Sequence, residues 1–292
     1  MPKTILTNQL MKKGLILEGG GLRSLFSAGI LDSWMQNDIH FDGVIGVSGG
    51  ALFGCNFKTH QIGRALRYNI LLKDDPRYMG LRSLFKTGNI IGAEFAYHVV
   101  PTEIDPVDND AFHNDPTPFY IVATDVETGL PYYHELEALD YEGLEWMRAT
   151  GSMPLVSTPV PLNGHLYLDG GMTDSLPLRY FQSIGYEGNV VILTRPRGYR
   201  KKKTKMTPLF RIFCHKYPKI AETMERRADE YNKQLDYLLE QEKAGNTLLI
   251  FPDKALEIGR IELNETKMRA IHQYGVEKGE SLIPQIKEFL SN

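Results

Sequence analysis

The sequence predicts an α/β fold of three layers, with helices on both faces of a mostly parallel central sheet and a helical C-terminal extension beyond it. Three observations carry that prediction. From residue 14 to about 60, short apolar runs alternate with stretches whose apolar residues recur at helical spacing. Further apolar runs of strand length follow at 119–126, 166–168 and 189–194. Beyond residue 205 the spacing becomes that of long amphipathic helices.

The elements follow in order. GLILE at 14–18 is bounded by glycine and suits a buried strand. Gly19, Gly20 and Gly21 make a turn that glycine adopts most easily. Leu22, Leu25, Phe26, Ile30, Leu31 and Trp34 then step at helical spacing. Phe41–Val47 reads as a second strand with Ser48 at its end, and 51–58 as the start of another helix. This order of strand, loop, helix and strand is what a parallel sheet with crossover helices requires. The segment 74–118 is rich in Pro, Gly, Asp and Asn and predicts loops and short helices. FYIVATDV at 119–126 reads as a buried strand, with Tyr132–Leu136 as a candidate to pair with it. Residues 142–150 form a short helix stopping near Gly151 and Pro154, and Leu166–Leu168 ends in Asp169-Gly170-Gly171. The basic run RPRGYRKKKTK at 195–205 reads as a linker or exposed loop. After it come an amphipathic helix of about 25 residues through Ile220, Met224, Ala228, Tyr231, Leu235 and Leu238, the strand-like NTLLIF, and a final helix after about residue 264. The division expected is a catalytic domain over 1–205 and an α/β extension over 206–292 packed on or beside it.

Composition removes some functional classes. The 292 residues can bury a full core, and 42% hydrophobic with 24% charged residues is ordinary for a globular chain. The net charge of -3 supplies no basic field for nucleic acid. Two cysteines, Cys55 and Cys214, cannot build a secreted-type disulfide framework, so a reducing, cytoplasmic setting is expected. The N-terminal MPKTILTNQLMKKG lacks the apolar core of a secretory leader. No stretch approaches the ~20 apolar residues of a membrane span, which leaves peripheral contact with a membrane surface open. The oligomeric state is not legible.

The chemistry concentrates in three places. Gly46-Val47-Ser48-Gly49-Gly50 fits G-x-S-x-G between an apolar strand and a helical segment. A serine in that sharp turn is strained, needs glycine at Gly46 and Gly50 to avoid collision, and exposes its hydroxyl at a helix N-terminus. Glu18-Gly19-Gly20-Gly21-Leu22-Arg23-Ser24 also lies between strand and helix, so several N–H groups can converge on an oxyanion or a phosphate. A dinucleotide fingerprint fits poorly, because serine fills the last glycine position and Val47-Ser48 stands where an acidic residue is wanted. A Walker loop fails for lack of Gly-Lys-Ser/Thr. Arg23 serves either as a loop support or as a contact to an anionic head group.

The serine needs a base. The late histidines His165, His215 and His272 do not sit in a loop after a late strand, as the Ser–acid–His order demands. Asp169 is the better candidate. It ends a short strand, and Gly170 and Gly171 after it permit close backbone approach. An ordinary Asp-Gly turn is the alternative for that aspartate.

Taken together, Gly19-Gly20-Gly21-Leu22-Arg23, then Gly46-Val47-Ser48-Gly49-Gly50, then Asp169-Gly170-Gly171 resemble the motifs of the patatin-like phospholipase family. Ala149–Pro154 resembles the Ser/Pro segment that precedes the aspartate in that family. The resemblance covers about residues 14–195, and the residues past 205 look like the extension of a bacterial subgroup. It implies a Ser48–Asp169 dyad, an oxyanion hole from the amides of Gly19, Gly20, Gly21 and Leu22, lipid acyl ester substrates and no metal cofactor. Family members commonly carry glycine where Ser24 stands, which bears on the shape of the hole. An acyltransferase or thioesterase using the same serine, and a non-catalytic module binding anionic lipid, are the competing functions. The basic run beside Leu209-Phe210-Arg211-Ile212-Phe213 is a candidate contact for anionic membrane, or else a solvated loop.

Overall fold

The computed structural model describes residues 11–291. Residues 1–10, which hold most of the stretch read for a leader, lie outside them. Eight strands form one sheet: β1 (Lys13–Leu17), β2 (Gly43–Val47), β3 (Phe119–Asp125), β4 (Pro131–Glu135), β5 (Val160–Leu162), β6 (His165–Asp169), β7 (Gly188–Ile192) and β8 (Thr247–Ile250). The order is β5-β6-β3-β2-β1-β7-β8, with β4 paired to β3. The pairs from β3 through β2, β1 and β7 to β8 are parallel, whereas β4 and β6 run antiparallel to β3.

The apolar runs of the central strands reflect burial on both faces. Leu15 and Leu17 of β1 enter one core, with Val44, Phe119, Val190 and Ile250 of neighbouring strands. Ile16 points the other way, with Ile45, Val47, Val122 and Val191. The first face is covered by α1 (Leu25–Met35), α2 (Gly49–Lys58), α6 (Tyr141–Gly151) and α10 (Glu265–Ser291). The second is covered by α7 (Leu178–Ser183) and α9 (Pro218–Lys243), through Leu178, Phe181, Tyr231, Leu235 and Leu238. These are the three layers expected. Between α2 and β3 the chain forms α3 (Arg64–Leu71), α4 (Leu81–Thr87), a wide-turned π segment Phe95–Ile104 and α5 (Asn109–Asn114); α8 (Thr207–Phe213) precedes α9.

The residues after 206 are built into this sheet. Strand β8 extends it beside β7, with Val190 opposite Leu248 and Ile192 opposite Ile250. Helix α10 lies against α1 so closely that a Cβ on Gly275 would stand 2.1 Å from the Phe26 carbonyl oxygen. His272 of α10 and Asp32 of α1 meet at 2.7 Å across that contact.

The register of β3 positions the site. Strand β4 occupies one edge of β3 from Tyr120 to Thr124. Strands β2 and β6 must therefore share the other edge, β2 along its first half and β6 along its second. Val47 stands opposite Val122 and Asp169 opposite Ala123, so the ends of β2 and β6 meet over consecutive residues of one strand. Two positions 121 residues apart in the chain arrive together by sheet pairing alone.

Candidate active site

Ser48 caps α2 with φ 52° and ψ −128°, a conformation costly for a residue with a Cβ. Its neighbours hold it there. The Ser48 N–H donates to Thr150 Oγ1 at 2.9 Å, and that hydroxyl donates to the Val122 carbonyl at 2.6 Å. Tight packing explains the flanking glycines: a Cβ on Gly46 would lie 2.5 Å from Ala51 Cα, and one on Gly50 would lie 2.4 Å from the Leu17 carbonyl oxygen. The half-buried hydroxyl points at the end of β6, where Ser48 Oγ donates to Asp169 Oδ2 at 2.7 Å.

Asp169 is 2% exposed. Its other oxygen, Oδ1, accepts the Gly171 N–H at 2.7 Å, and its backbone carbonyl accepts Thr124 Oγ1 at 2.9 Å. Gly170 is pressed against β3, where a Cβ would meet the Val122 carbonyl oxygen at 2.1 Å. Burial raises the carboxyl above the usual carboxylate range, against the opposing pull of the Ser48 hydrogen bond, Arg227 and the Gly171 amide. A buried carboxylate with a raised pKa is a stronger base than a solvated one.

The glycine loop lies over this pair. A Cβ on Gly19 would stand 2.8 Å from Ser48 Cβ, so the loop touches the hydroxyl-bearing carbon. Gly21 adopts φ 58° at the start of a 3-10 turn, Gly21–Ser24. Among the described residues the N–H groups of Gly19, Gly20 and Gly21 find no backbone acceptor outside the turn. Leu22 differs from the expectation placed on it: its N–H donates to the Arg260 carbonyl at 3.0 Å and is not open to an oxyanion. Ser24 fits as a fully buried residue, its Oγ unpartnered and close to Gly49. Arg23 is buried and lines the cavity.

A clamp that sequence reading missed fixes the loop from below. Glu18 Oε2 accepts the Thr194 N–H at 2.6 Å and Thr194 Oγ1 at 3.1 Å, while Oε1 accepts the Tyr231 hydroxyl at 2.8 Å. Glu18 and Thr194 stand at the C-terminal ends of β1 and β7, the edge where ligands of parallel α/β sheets bind. Thr150 was also missed as a functional residue, although it lies in the segment that precedes the aspartate. The basic run read as a linker or exposed loop turns partly inward: Arg195 and Lys201 line the cavity over Ser48, together with Arg227 and Arg260 from beyond it. Arg227 was legible as a cation on the apolar stripe of α9, one turn before Tyr231.

The histidines lie elsewhere. His272 pairs with Asp32, His165 with Asp125 at 3.4 Å, and His215 faces the Ile212 carbonyl. Among the described residues no histidine hydrogen-bonds to Ser48 or Asp169, and no group of three or more His, Cys, Asp or Glu side chains is placed to hold a metal ion. The cavity has a volume of about 660 Å3, within the ~300–1,000 Å3 of small-molecule sites.

A strained serine beneath a three-glycine loop, with an aspartate at the end of a neighbouring strand, defines a class of α/β protein. The family described as patatin-like phospholipase matches residues 15–181, and the chain belongs to it. Residues 217–291 match a second family, described as a domain of unknown function (DUF6363). The chain is 28% identical to the uncharacterized protein YjjU of Escherichia coli over 187 residues, 62% of this chain and 52% of that one. It is 23% identical to the lysophospholipase nte1 of Aspergillus oryzae over 300 residues, 94% of this chain and 18% of that one. It thus spans about half the length of the first relative and a much smaller part of the second. A looser likeness is the crystal structure of VipD from Legionella pneumophila, with a TM-score of 0.46 and 12% identity, covering 94% of this chain and 67% of that chain.

Proposed function

We propose that the chain is a serine acyl hydrolase that cleaves lipid acyl esters, with Ser48 as nucleophile and Asp169 as general base. One observation carries the reading: a 2.7 Å hydrogen bond from a strained, cavity-facing hydroxyl to a buried carboxylate. Asp169 takes the Ser48 proton as Oγ attacks the ester carbonyl carbon. The negative charge developing on the carbonyl oxygen meets the amides of Gly19, Gly20 and Gly21, each such donor worth about 3–4 kcal/mol of barrier. Collapse expels the alcohol, which takes its proton from Asp169, and water then releases the acyl group by the same steps in reverse order. The lysophospholipase name of the fungal relative, and that of the neuropathy target esterase sws of Drosophila melanogaster (28% identical over 183 residues), favour lipid esters as substrates.

The mouth of the cavity suits a lipid surface. Met206 and Phe210 line the cavity, and Met206, Leu209 and Ile212 expose apolar surface beside Lys202, Lys203 and Lys205. Apolar side chains flanked by lysines are attracted to anionic bilayers. No described helix is long and apolar enough to cross a membrane. The two buried, unbridged cysteines fit a reducing, cytoplasmic setting. Hydrolysis of phospholipid, lysophospholipid and neutral ester panels tests the reading. The wild type releases fatty acid and Ser48→Ala does not; release by Ser48→Ala at the wild-type rate would place the nucleophile elsewhere. Sedimentation with anionic and neutral liposomes tests the surface, and binding indifferent to lipid charge and to salt would remove it.

A further inference from the structure

The cavity that opens on Ser48 has two chemically different halves. One wall is apolar, built from Leu52, Phe53, Tyr78, Val100, Leu144 and Met147. The other carries six basic side chains: Arg23 from the glycine loop, Arg195, Lys201 and Lys202 from the loop after β7, Arg227 from α9, and Arg260 from the loop before α10. Among the described residues none of the six forms an ion pair, whereas Arg64, which also lines the cavity, pairs with Asp105, and the exposed Arg197 and Arg200 pair with Glu242 and Asp236. Arg23 is 7% exposed, and its buried Nε has no hydrogen-bond partner. An unpaired guanidinium kept out of water, as that of Arg23 is, calls for an anion; Arg195 and Arg227 beside it are half-buried, Arg227 Nε donating to the Gly171 carbonyl at 2.7 Å, and Arg260 is exposed.

The carboxylates nearby are already committed. Glu18 is held by Thr194 and Tyr231, and Asp169 by Ser48 and Gly171. Two aromatic rings of the basic side are covered as well, since Arg195 lies over Tyr199 at 4.8 Å and Lys201 over Tyr231 at 3.8 Å. At Tyr199 and Tyr231 a trimethylammonium group would therefore compete with a resident cation, and it would meet no free carboxylate there. The crowding registers in the cations themselves. Burial first, then the charges of Arg195 and Arg260, lowers Arg23 to about 10; burial first, then Arg227, lowers Lys201 to about 6, so Lys201 is mostly uncharged at neutral pH and gains its proton beside an anion.

We propose that the cationic half of the cavity holds the head group of the substrate, and that this head group is a compact phosphate monoester, or a dianion of like size, adjoining the scissile ester. The inference rests on the hydrolase reading and names its substrate class. It also gives the C-terminal region a task. Arg227 and Arg260 lie within or beside the element that carries α9, β8 and α10, and the Arg260 carbonyl holds the Leu22 amide of the glycine loop. The acyl chain takes the apolar half, the ester lies under the glycine amides, and the phosphate takes the place of the missing counter-ion among the arginines.

The test uses lysolipids of one acyl chain with three head groups: a phosphate monoester, a phosphocholine and an uncharged glycerol. The wild type is expected to hydrolyse the phosphate monoester with kcat/KM at least about tenfold above the other two, the size of one charge-assisted hydrogen bond. In the Lys201→Met/Arg260→Gln double variant that ratio is expected to fall to about one. The ratio compares substrates on one preparation, so a smaller folded fraction does not move it. Equal rates on all three lipids, or a preference for the neutral one, overturn the inference and leave the hydrolase reading intact. No hydrolysis of any ester, with Ser48 unreactive, removes the hydrolase reading and the substrate assignment with it. Inorganic phosphate titrated calorimetrically into Ser48→Ala separates a lipid head group from a free ion. Phosphate binding together with the lipid preference supports the proposal, and phosphate binding without that preference identifies a free-anion site and overturns it.

Discussion

Replacing Asp169 by Asn separates catalysis from stability in a way that few active-site substitutions do. The side chain is 2% exposed, and the amide is nearly isosteric with the carboxylate. The asparagine keeps an oxygen for the Gly171 N–H, now made to Asp169 Oδ1 at 2.7 Å, and turns an NH2 toward Ser48 Oγ in place of the acceptor at 2.7 Å. The proton of Ser48 then has nowhere to go. Loss of a general base costs about 10²–10⁴ in rate, and at 1.36 kcal/mol per decade that is about 3–5 kcal/mol of barrier. Stability moves the other way. Burial raises the folded-state pKa of Asp169 above its unfolded value. A raised carboxyl favours the fold most fully below the unfolded pKa, and that contribution is lost as pH rises through the folded pKa. At neutral pH the wild type therefore carries the cost of a buried charge that the amide does not. The variant is expected to be inactive on a chromogenic ester yet at least as stable as wild type at pH 7, with the advantage shrinking as pH falls through the raised pKa. Ester hydrolysis and calorimetric unfolding across pH measure both. A variant that retains activity within about threefold refutes the base assignment, and one that unfolds more readily at pH 7 refutes the electrostatic argument.

The other predictions concern the surroundings of that pair. The acid limb of kcat/KM reports the free enzyme's base, so activity is expected to fall with decreasing pH through a midpoint above 3.8, and Arg227→Gln to move that midpoint upward, because Arg227 opposes the rise. Gly19→Ala, with its new Cβ 2.8 Å from Ser48 Cβ, is expected to distort the amide cradle and lower kcat about 10²–10³-fold while circular dichroism is unchanged. Thr150→Val leaves the Ser48 N–H unpartnered and is expected to cost about 1–3 kcal/mol in urea unfolding along with activity. His272→Ala strips Asp32 of a partner at 2.7 Å and is expected to lower Tm without changing kcat per folded molecule, the reverse of what a catalytic histidine would show.

Much of the sheet was legible because its strands carry their own signal. The run NVVILT and the run FYIVATDV are apolar on both faces and of strand length, which reads as buried strand, and the strand ends at Ser48 and Asp169 followed from the turn chemistry beside them. Strand β5 has three residues and includes Pro161, too short for any periodicity to show. Helix α3 places a buried Arg64 among its residues, bonded to Asn56 and to the Asp105 carbonyl, which masks its amphipathic pattern. The meeting of Ser48 and Asp169 was open to inference from motif order, but its cause, two strands sharing one edge of β3, is a matter of long-range pairing that local sequence does not encode. The same holds for the cationic wall. Arg23, Arg195 and Arg260 look like surface residues one at a time, and only the fold shows that they face one cavity. Lys201 sat inside a basic run whose other lysines are exposed, so composition concealed the one that turns inward.

The most direct measurement is mass-spectrometric mapping of the full chain after reaction with a fluorophosphonate, which labels a serine only when its hydroxyl is activated by a base and its adduct oxygen is stabilised. A single adduct on the peptide containing Ser48, absent from Asp169→Asn, is the predicted result. An unmodified Ser48 peptide in protein that is folded, or equal labelling of the asparagine variant, would contradict the account.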